Sequence, residues 1–320
     1  MFFRLKDQLQ RSQFDFLCRG IFRTPPVDVG KAEVTFVSQV SHRDLLMYLV
    51  AIKSLYRFFR RGSIVVLDDG SLTSQDRSHL KQHLRSADIL HIRDVALADT
   101  PKGGTWERLT LISQLVKDSY VVQVDSDSVT INAIPEVLEY VAANSSFTLL
   151  GAGSYPGIEP MPNAAQRAQQ NGSKSAEPQA ISERSLDRFP DSASFKYVRG
   201  CSGFAGFARG SFTRDILQQF SRTMQDLCGR PKWNEWGSEQ VTSNLLVANS
   251  PKAGVLEFPK YTSYYALKDL DYSRSSFVHF MGGFRFANGC YAGCARRVVC
   301  ELMGDHAVGY ERQRPASQDS

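Results

Sequence analysis

One stretch of the sequence, residues Tyr120 to Val129, restricts the fold more than any other. Its first half is rich in valine and runs directly into Asp125 and Asp127, which a single serine separates. Such a run predicts a buried strand, and a strand interior does not tolerate two unpaired carboxylates. We therefore expect both aspartates at the carboxyl end of the strand, facing the crevice where open α/β sheets bind ligands.

The spacing of the two aspartates suits a metal ion. In extended chain, Asp125 and Asp127 point to the same side. Hard cations such as Mg²⁺ or Mn²⁺ bind one or two carboxylates together with substrate phosphates, so the pair indicates a metal and diphosphate site. Asp-x-Asp is common by itself, however, and Asp127 or Ser128 could instead cap a helix running through Ile134 to Glu139.

Composition excludes several classes of protein. With 42% hydrophobic and 22% charged residues, the 320-residue chain is typical of a soluble globular protein. Its 38 basic and 33 acidic residues give a net charge of +5. This charge suits an anionic substrate or a loose membrane contact and is too small to indicate nucleic acid. No signal-peptide core or Cys-x-x-Cys pair occurs, so we expect free thiols and a cytoplasmic location.

The first half of the chain alternates predicted strands and helices. The strands cover Val34–Ser38, Ser63–Leu67 and Ile89–Ile92, and helices separate them. This succession predicts a parallel sheet with right-handed crossovers, as in doubly wound nucleotide-binding proteins. Asp69 follows the second strand and either bonds a ribose or base or belongs to a tight turn.

Further polar residues stand at the predicted ends of later elements. Arg108 lies on a helix shortly before the aspartates and could reach the same crevice. Gly203 interrupts an apolar strand pattern, which marks the close approach of a ligand or backbone. Glu239 and Gln240 begin a helix, where they either cap it or face a sugar.

The last predicted strand, Ser276–Phe280, carries His279 near its end. A single histidine in this position is usually structural. This one precedes Gly282 and Arg285, a flexible glycine turn with a cationic side chain, which is what phosphate binding needs.

These pieces together resemble glycosyltransferases of the GT-A fold, and they are most similar to the retaining family 8. The matching segments are Trp106–Leu109 (aromatic-x-Arg-Leu), Val124–Asp127 (Asp-x-Asp), Ser238–Gln240 with Asn244 (Asp-Gln-x-x-x-Asn) and His279–Arg285 (His-x-x-Gly-x-x-Lys). Three positions depart from the family pattern: Glu239 replaces an aspartate, Val241 an acid and Arg285 a lysine. Since the turn at residues 68–71 is closer to inverting family 2, the stereochemical outcome stays open.

The resemblance implies transfer of a hexose from a nucleotide diphosphate sugar, most often a UDP-sugar, with Mn²⁺ or Mg²⁺. Asp125, Asp127 and His279 would bind the metal. Glu239 and Gln240 would act near the anomeric carbon, with Glu239 the only candidate nucleophile. The remaining implied donor-binding residues are Asp69, Arg108, Gly203, Gly282 and Arg285. The implied acceptor is a glycan, a lipid-linked sugar or a small molecule.

The implied architecture is a single large α/β domain of GT-A-like, Rossmann-like form, with a mixed, mainly parallel sheet flanked by helices. Its expected parts are an amphipathic segment (1–30), a nucleotide-sugar-binding half (31–150), a flexible insertion (151–196), an acceptor-binding half with the metal turn (197–300) and a polar tail (301–320). Segment 1–30 either packs on the domain or contacts the cytoplasmic face of a membrane. The insertion is either a lid or, from its polar composition, disordered.

Two other functions remain possible at this stage. A non-catalytic sugar-nucleotide-binding protein would keep the fold without turnover. An Asp-x-Asp phosphohydrolase would use Asp125 as its nucleophile. That class carries its motif near the start of the domain, whereas three predicted strands precede Asp125 here.

Overall fold

A seven-stranded sheet forms the centre of the molecule. The computed structural model describes residues 2–30, 33–170, 175–267 and 269–311, and side chains from residue 8 to residue 304 within these ranges. The strands are β1 (Val27–Asp28), β2 (Val34–Val40), β3 (Ser63–Asp68), β4 (Leu84–Arg85), β5 (Asp88–His91), β6 (Tyr120–Val124), β7 (Ser128–Thr130), β8 (Phe147–Leu150), β9 (Glu159–Pro160), β10 (Lys196–Tyr197), β11 (Gly200–Phe207), β12 (Gly254–Leu256), β13 (Tyr261–Ser263) and β14 (Phe277–His279). The central order is β12-β8-β11-β6-β2-β3-β5.

Helices cover both faces of this sheet. They are α1 (Phe2–Cys18), α2 (Leu45–Phe59), α3 (Ser74–His83), α4 (Trp106–Leu115), α5 (Pro135–Ala142), α6 (Met161–Gln170), α7 (Pro178–Glu183), α8 (Arg214–Cys228), α9 (Arg230–Trp233), α10 (Ser238–Ala248) and α11 (Cys290–Glu311). Neighbouring residues Phe36 and Val37 of β2 belong to two different apolar clusters, one on each face. Burial on both faces explains why these strands are continuous apolar runs.

The predicted β-α-β-α-β succession is confirmed. Strands β2, β3 and β5 pair in parallel, and β2 also pairs in parallel with β6. The one reversed strand is β11, which lies antiparallel between β6 and β8. Because it is reversed, its first residues lie at the edge where β6 ends.

A second, three-stranded sheet of order β13-β14-β7 follows directly from Asp127. The alternative in which Asp127 or Ser128 caps a helix is therefore wrong. Residues 128–130 form a strand, and α5 starts later with a proline in its first turn and no side-chain cap. Proline supplies the fixed φ of a helix start without such a cap.

Residues 151–196 correct a prediction, because their described part is not a disordered insertion. Helix α6 buries Met161, Ala164, Ala165 and Ala168, which are spaced as one helical stripe. Small side chains contribute little to average hydrophobicity, so the composition of this segment does not reveal its buried helical face. The stripe packs into the same apolar cluster as α4 and α10.

The N-terminal helix packs on the domain through Phe14, whose ring lies 4.2 Å from that of Tyr291 in α11. None of the helices, within the described residues, has the length and apolar character needed to cross a bilayer.

Candidate active site

A cleft of about 400 Å³ opens at the carboxyl ends of β2, β3 and β6. Of the residues predicted for the site, those in its wall are Asp69, Arg108, Asp125, Asp127, Gln240, His279, Gly282 and Arg285. A larger groove of about 900 Å³ lies at the other end of the strands, where Val34 and Tyr120 begin β2 and β6. Open α/β sheets bind ligands at the carboxyl ends, so the smaller cleft is the candidate site.

Backbone pairing brings His279 to the two aspartates. Strands β14 and β7 pair antiparallel with His279 opposite Ser128, and the Phe280 N–H donates to the Asp127 carbonyl at 2.7 Å. The imidazole Nε2 then lies 3.0 Å from Asp127 Oδ1 and 3.5 Å from Asp125 Oδ2. One ligand atom from each of the three side chains lies within 4.8 Å of the other two.

Opposite charges meet in this cluster and shift the pKa values of its members. Burial raises the pKa of the Asp127 carboxyl, but attraction to His279 and Arg285 outweighs burial and lowers it. Burial likewise lowers the pKa of the His279 imidazole, while Cys201 and Asp127 raise it well above the usual range. A metal ion bound at Nε2 would replace the proton that the protonated imidazole carries on this nitrogen.

Cys201 contacts the other ring nitrogen of His279, with Sγ 3.1 Å from Nδ1. If Nδ1–H donates to the sulfur, Nε2 is left to face the carboxylates, so this contact orients the ring. The sequence gives Cys201 no role, because the contact joins residues 78 positions apart and only the fold brings them together.

Arg108 is buried between two acids. It donates to Asp125 Oδ1, and its Nη2 lies 3.8 Å from Glu239 Oε1. Burial lowers the pKa of the Arg108 guanidinium, but the two carboxylates raise it above its ordinary value. The prediction that this arginine reaches the aspartates from α4 agrees with its position.

Glu239 is not placed in the cleft, contrary to the prediction that it faces a sugar. Its side chain is buried and accepts hydrogen bonds from Thr105 Oγ1 at 2.9 Å and Ser202 Oγ at 3.3 Å. Burial raises the pKa of this carboxyl, although Arg108 opposes the effect. Glu239 therefore lies behind the cleft wall, where it holds Thr105 and Ser202, and it is poorly placed to be a nucleophile.

Thr105 shows how firmly this wall is built. It adopts φ +71°, a left-handed conformation that β-branched residues rarely accept. It occupies the N-cap position of α4, but its hydroxyl bonds Glu239 instead of a backbone N–H of the helix.

Gly203 also has a different neighbour from the one predicted. A Cβ at this position would lie 2.2 Å from Cε1 of His279. The missing side chain makes room for the imidazole, and Gly203 is absent from the cleft wall. The glycine thus accommodates the His279 ring and does not border the cleft itself.

Gln240 projects into the cleft with both ends of its amide fixed. Its Oε1 accepts from the Ser202 N–H at 3.3 Å, and its Nε2 donates to Gln179 Oε1 at 2.9 Å. Gln179 belongs to α7, so the segment 151–196 helps to hold a residue of the cleft.

Three further predicted residues line the cleft. Arg285 Nη2 lies 2.5 Å from Asp127 Oδ2, while its Nε donates to the Phe280 carbonyl. Gly282 begins the turn before it with φ +61°. Asp69 accepts two hydrogen bonds from Ser71, so it makes the turn and still faces the cleft.

The donor set fits a divalent cation. Two carboxylates and one imidazole, at the end of a strand, suit Mn²⁺ or Mg²⁺ that completes its coordination with phosphate oxygens. Ser126 Oγ, buried beside them, has no hydrogen-bond partner among the described residues. The wall therefore retains polar capacity that a bound ligand would use.

Comparison with known proteins shows that the fold is similar to that of solved glycosyltransferases. No protein-family model and no curated protein matches the chain. The galactosyltransferase LgtC, solved with donor and acceptor sugar analogues, matches with a TM-score of 0.52 at 13% identity, over 85% of this chain and 95% of LgtC. The bifunctional glycosyltransferase WbbM matches with a TM-score of 0.50 at 14% identity, over 88% of this chain and 52% of WbbM.

A third match is the glycosyltransferase GlyE of Streptococcus pneumoniae TIGR4, with a TM-score of 0.50 at 9% identity over 91% of this chain and 66% of GlyE. This chain thus spans about half of WbbM and nearly all of LgtC. The predicted GT-A fold in a single domain is confirmed. At these identities the likeness establishes the fold, and the activity must be argued from the site.

Proposed function

We propose that the protein is a metal-dependent glycosyltransferase that moves a hexose from a nucleotide diphosphate sugar to a glycan or other acceptor. The observation that carries the proposal is the Asp125–Asp127–His279 cluster, whose ligand atoms converge within 4.8 Å in a cleft at the end of β6. The resemblance in sequence to family 8 supports a UDP-sugar as donor, and the GT-A fold supports the reaction class.

The chemical need is at the leaving group, where negative charge grows on the diphosphate as the glycosidic bond breaks. A bound Mn²⁺ or Mg²⁺ would supply Lewis-acid stabilisation and align the two phosphates. Arg285 sits beside Asp127, and among the described residues its Nη1 makes no hydrogen bond. That free N–H group can donate to a phosphate oxygen in the cleft.

Other side chains of the chain position the reacting groups. The buried Arg108 guanidinium donates a hydrogen bond to the Asp125 carboxylate and so fixes its position. The amide of Gln240 is held at both ends, and the second N–H of its Nε2, which has no partner among the described residues, can donate to a sugar hydroxyl. Asp69, at the end of β3, is placed to bond the ribose or base, since nucleotides bind at this edge of doubly wound sheets.

The test uses the purified full chain with a panel of nucleotide diphosphates and their sugar esters, with and without Mn²⁺ or Mg²⁺. Thermal unfolding measures binding, because a ligand that binds only the folded state raises the melting temperature. Donor hydrolysis and transfer measure turnover. We expect both to need the metal, and metal-independent turnover would contradict the proposal.

The same panel separates the two alternatives. Donor binding without hydrolysis or transfer, across many acceptors, would indicate a non-catalytic sugar-nucleotide-binding protein. Vanadate-sensitive phosphatase activity would indicate a phosphohydrolase that uses Asp125 as nucleophile.

We also propose that the reaction takes place at the cytoplasmic face of a membrane. On α1, the exposed side chains of Leu9 and Phe16 are seven residues apart and so share one face, and Arg19 lies over the Phe16 ring at 4.4 Å. An apolar stripe bordered by cations suits an anionic lipid surface. Cosedimentation with anionic but not with neutral vesicles is the expected result, and equal recovery with both kinds would contradict it.

A further inference from the structure

One exposed tryptophan stands out among the three in the chain. Trp106 and Trp233 are buried, whereas Trp236 is 73% exposed and forms part of the cleft wall. Ligand clefts are lined by aromatic side chains together with a few polar groups, so an exposed indole in the wall of this cleft is available to contact a ligand. We propose that the Trp236 indole is the platform on which a pyranose ring of the acceptor stacks. This inference rests on the proposed function and names the substrate class of the acceptor subsite.

The exposure of Trp236 is built into a firmly held loop. Before it, the buried Trp233 donates from Nε1 to Ser221 Oγ at 3.0 Å. After it, Ser238 Oγ accepts from Trp106 Nε1 at 2.9 Å and donates to the Glu235 carbonyl at 3.2 Å. Hydrogen bonds thus fix the chain on both sides of Trp236, so the backbone position from which the indole projects is set. Such preorganisation reduces the entropy lost on binding.

Its position favours the acceptor over the nucleotide. Trp236 precedes α10, which packs on β11, whereas Asp69 follows β3. Strands β6 and β2 separate β11 from β3, and the metal cluster stands at the end of β6. With a nucleotide over β2 and β3 and its diphosphate at β6, the transferred sugar and the acceptor lie on the β11 side.

The chemistry of the side chain suits a sugar ring. The face of an aromatic ring is negative and attracts weakly positive hydrogens. A pyranose presents C–H groups on one face and hydroxyls around its edge. The indole can therefore take the C–H face while Gln240, four residues later and also in the cleft wall, bonds a hydroxyl.

The first test uses tryptophan fluorescence and requires no turnover. Because the other two tryptophans are buried, iodide quenches mainly Trp236. The probes are a panel of methyl pyranosides, added to the protein with Mn²⁺ and UDP. We expect at least one to lower the iodide quenching constant of the wild type and to leave that of Trp236→Phe unchanged.

Two outcomes of this test overturn the proposal. Protection by UDP alone, with no further effect of any pyranoside, would assign Trp236 to the nucleotide. Quenching unaffected by every pyranoside would leave the indole without a sugar to bind.

The second test is kinetic and uses an acceptor found in the transfer assay. Trp236→Ala should raise the acceptor KM about tenfold, as expected for loss of one aromatic contact, with donor KM and donor hydrolysis unchanged. Trp236→Phe should recover most of the loss. Ile216→Ala, which trims another exposed apolar side chain on α8, is the matched control and should change nothing.

The two hypotheses fail in different ways. Absence of transfer and of donor hydrolysis by the wild type contradicts the glycosyltransferase proposal. Normal transfer with an unchanged acceptor KM in Trp236→Ala contradicts only the stacking platform.

Discussion

His279 Nε2 lies 3.0 Å from Asp127 Oδ1, although 152 positions separate the two residues in the sequence. The contact follows from main-chain pairing of β14 with β7, and Asp127 is the residue immediately before β7. Main-chain pairing therefore brings the imidazole to the carboxylate.

Replacement of Asp127 by asparagine keeps the size of the side chain and removes its charge. We expect Asp127→Asn to lose the Mn²⁺-dependent rise in melting temperature and to lower the transfer rate by about 10²-fold or more. Thermal unfolding with and without Mn²⁺ and a steady-state assay measure the two effects. Asp99→Asn is the control, because Asp99 is an exposed acid on another loop, where it pairs with Arg222 of α8. Full activity of Asp127→Asn would contradict the assignment of Asp127 as a metal ligand.

Substitution at Gly203 tests whether this glycine serves the imidazole. The alanine Cβ of Gly203→Ala would lie 2.2 Å from His279 Cε1, so the ring has to move. We expect about 1–3 kcal/mol lower free energy of unfolding and weaker Mn²⁺ binding by calorimetry. Gly293→Ala is the control, because its Cβ would meet nothing within 4 Å inside α11. Unchanged Mn²⁺ affinity in Gly203→Ala would assign the glycine to another purpose.

Removal of the Arg108 charge should destabilise the protein strongly. Arg108→Met leaves Asp125 and the buried Glu239 without their cation. We expect the free energy of unfolding to fall by about 3 kcal/mol or more, as for other broken buried pairs. Urea unfolding measures it. Adding Glu239→Gln should recover part of the loss, and strictly additive effects would show that the two residues are not coupled.

His83 gives a prediction for acid stability. Burial, then repulsion by Lys53, lowers the pKa of the imidazole to about 4 from an ordinary 6.5. Between these two pH values the unfolded chain binds a proton that the folded protein does not. The contribution of His83 to the free energy of unfolding is therefore fully present above pH 6.5 and is lost as the pH falls from 6.5 toward 4. Urea unfolding across this range should show a shallower fall for His83→Asn, whereas His91→Asn should match the wild type. Equal slopes for His83→Asn and the wild type would rule out this contribution.

Local patterns in the sequence predicted the sheet well. The apolar runs of β2, β3 and β6 are readable because burial on both faces makes each run continuous. Asp125 and Asp127 follow the end of β6, as expected, because an unpaired charge buried inside a strand is costly.

Contacts between distant parts of the chain were less accessible. Resemblance to a family suggested His279 as a partner of the aspartates, and no local pattern did. The neighbour of Gly203 and the burial of Glu239 depend on how β11 and α10 pack against other elements, which local periodicity does not encode. Helix α6 was missed because its buried stripe is made mostly of alanine.

The chain leaves the sheet at the end of β8 and re-enters it at the start of the adjacent strand β11. The two crossing points are joined by a hydrogen bond from the Gly151 N–H to the Arg199 carbonyl at 2.9 Å. Helices α6 and α7 lie in the chain between these two points, and α7 carries the Gln179 that holds Gln240. A different segment could be inserted between these two points without moving β6 or its aspartates, so the surroundings of Gln240 can change in evolution independently of the Asp125–Asp127–His279 cluster.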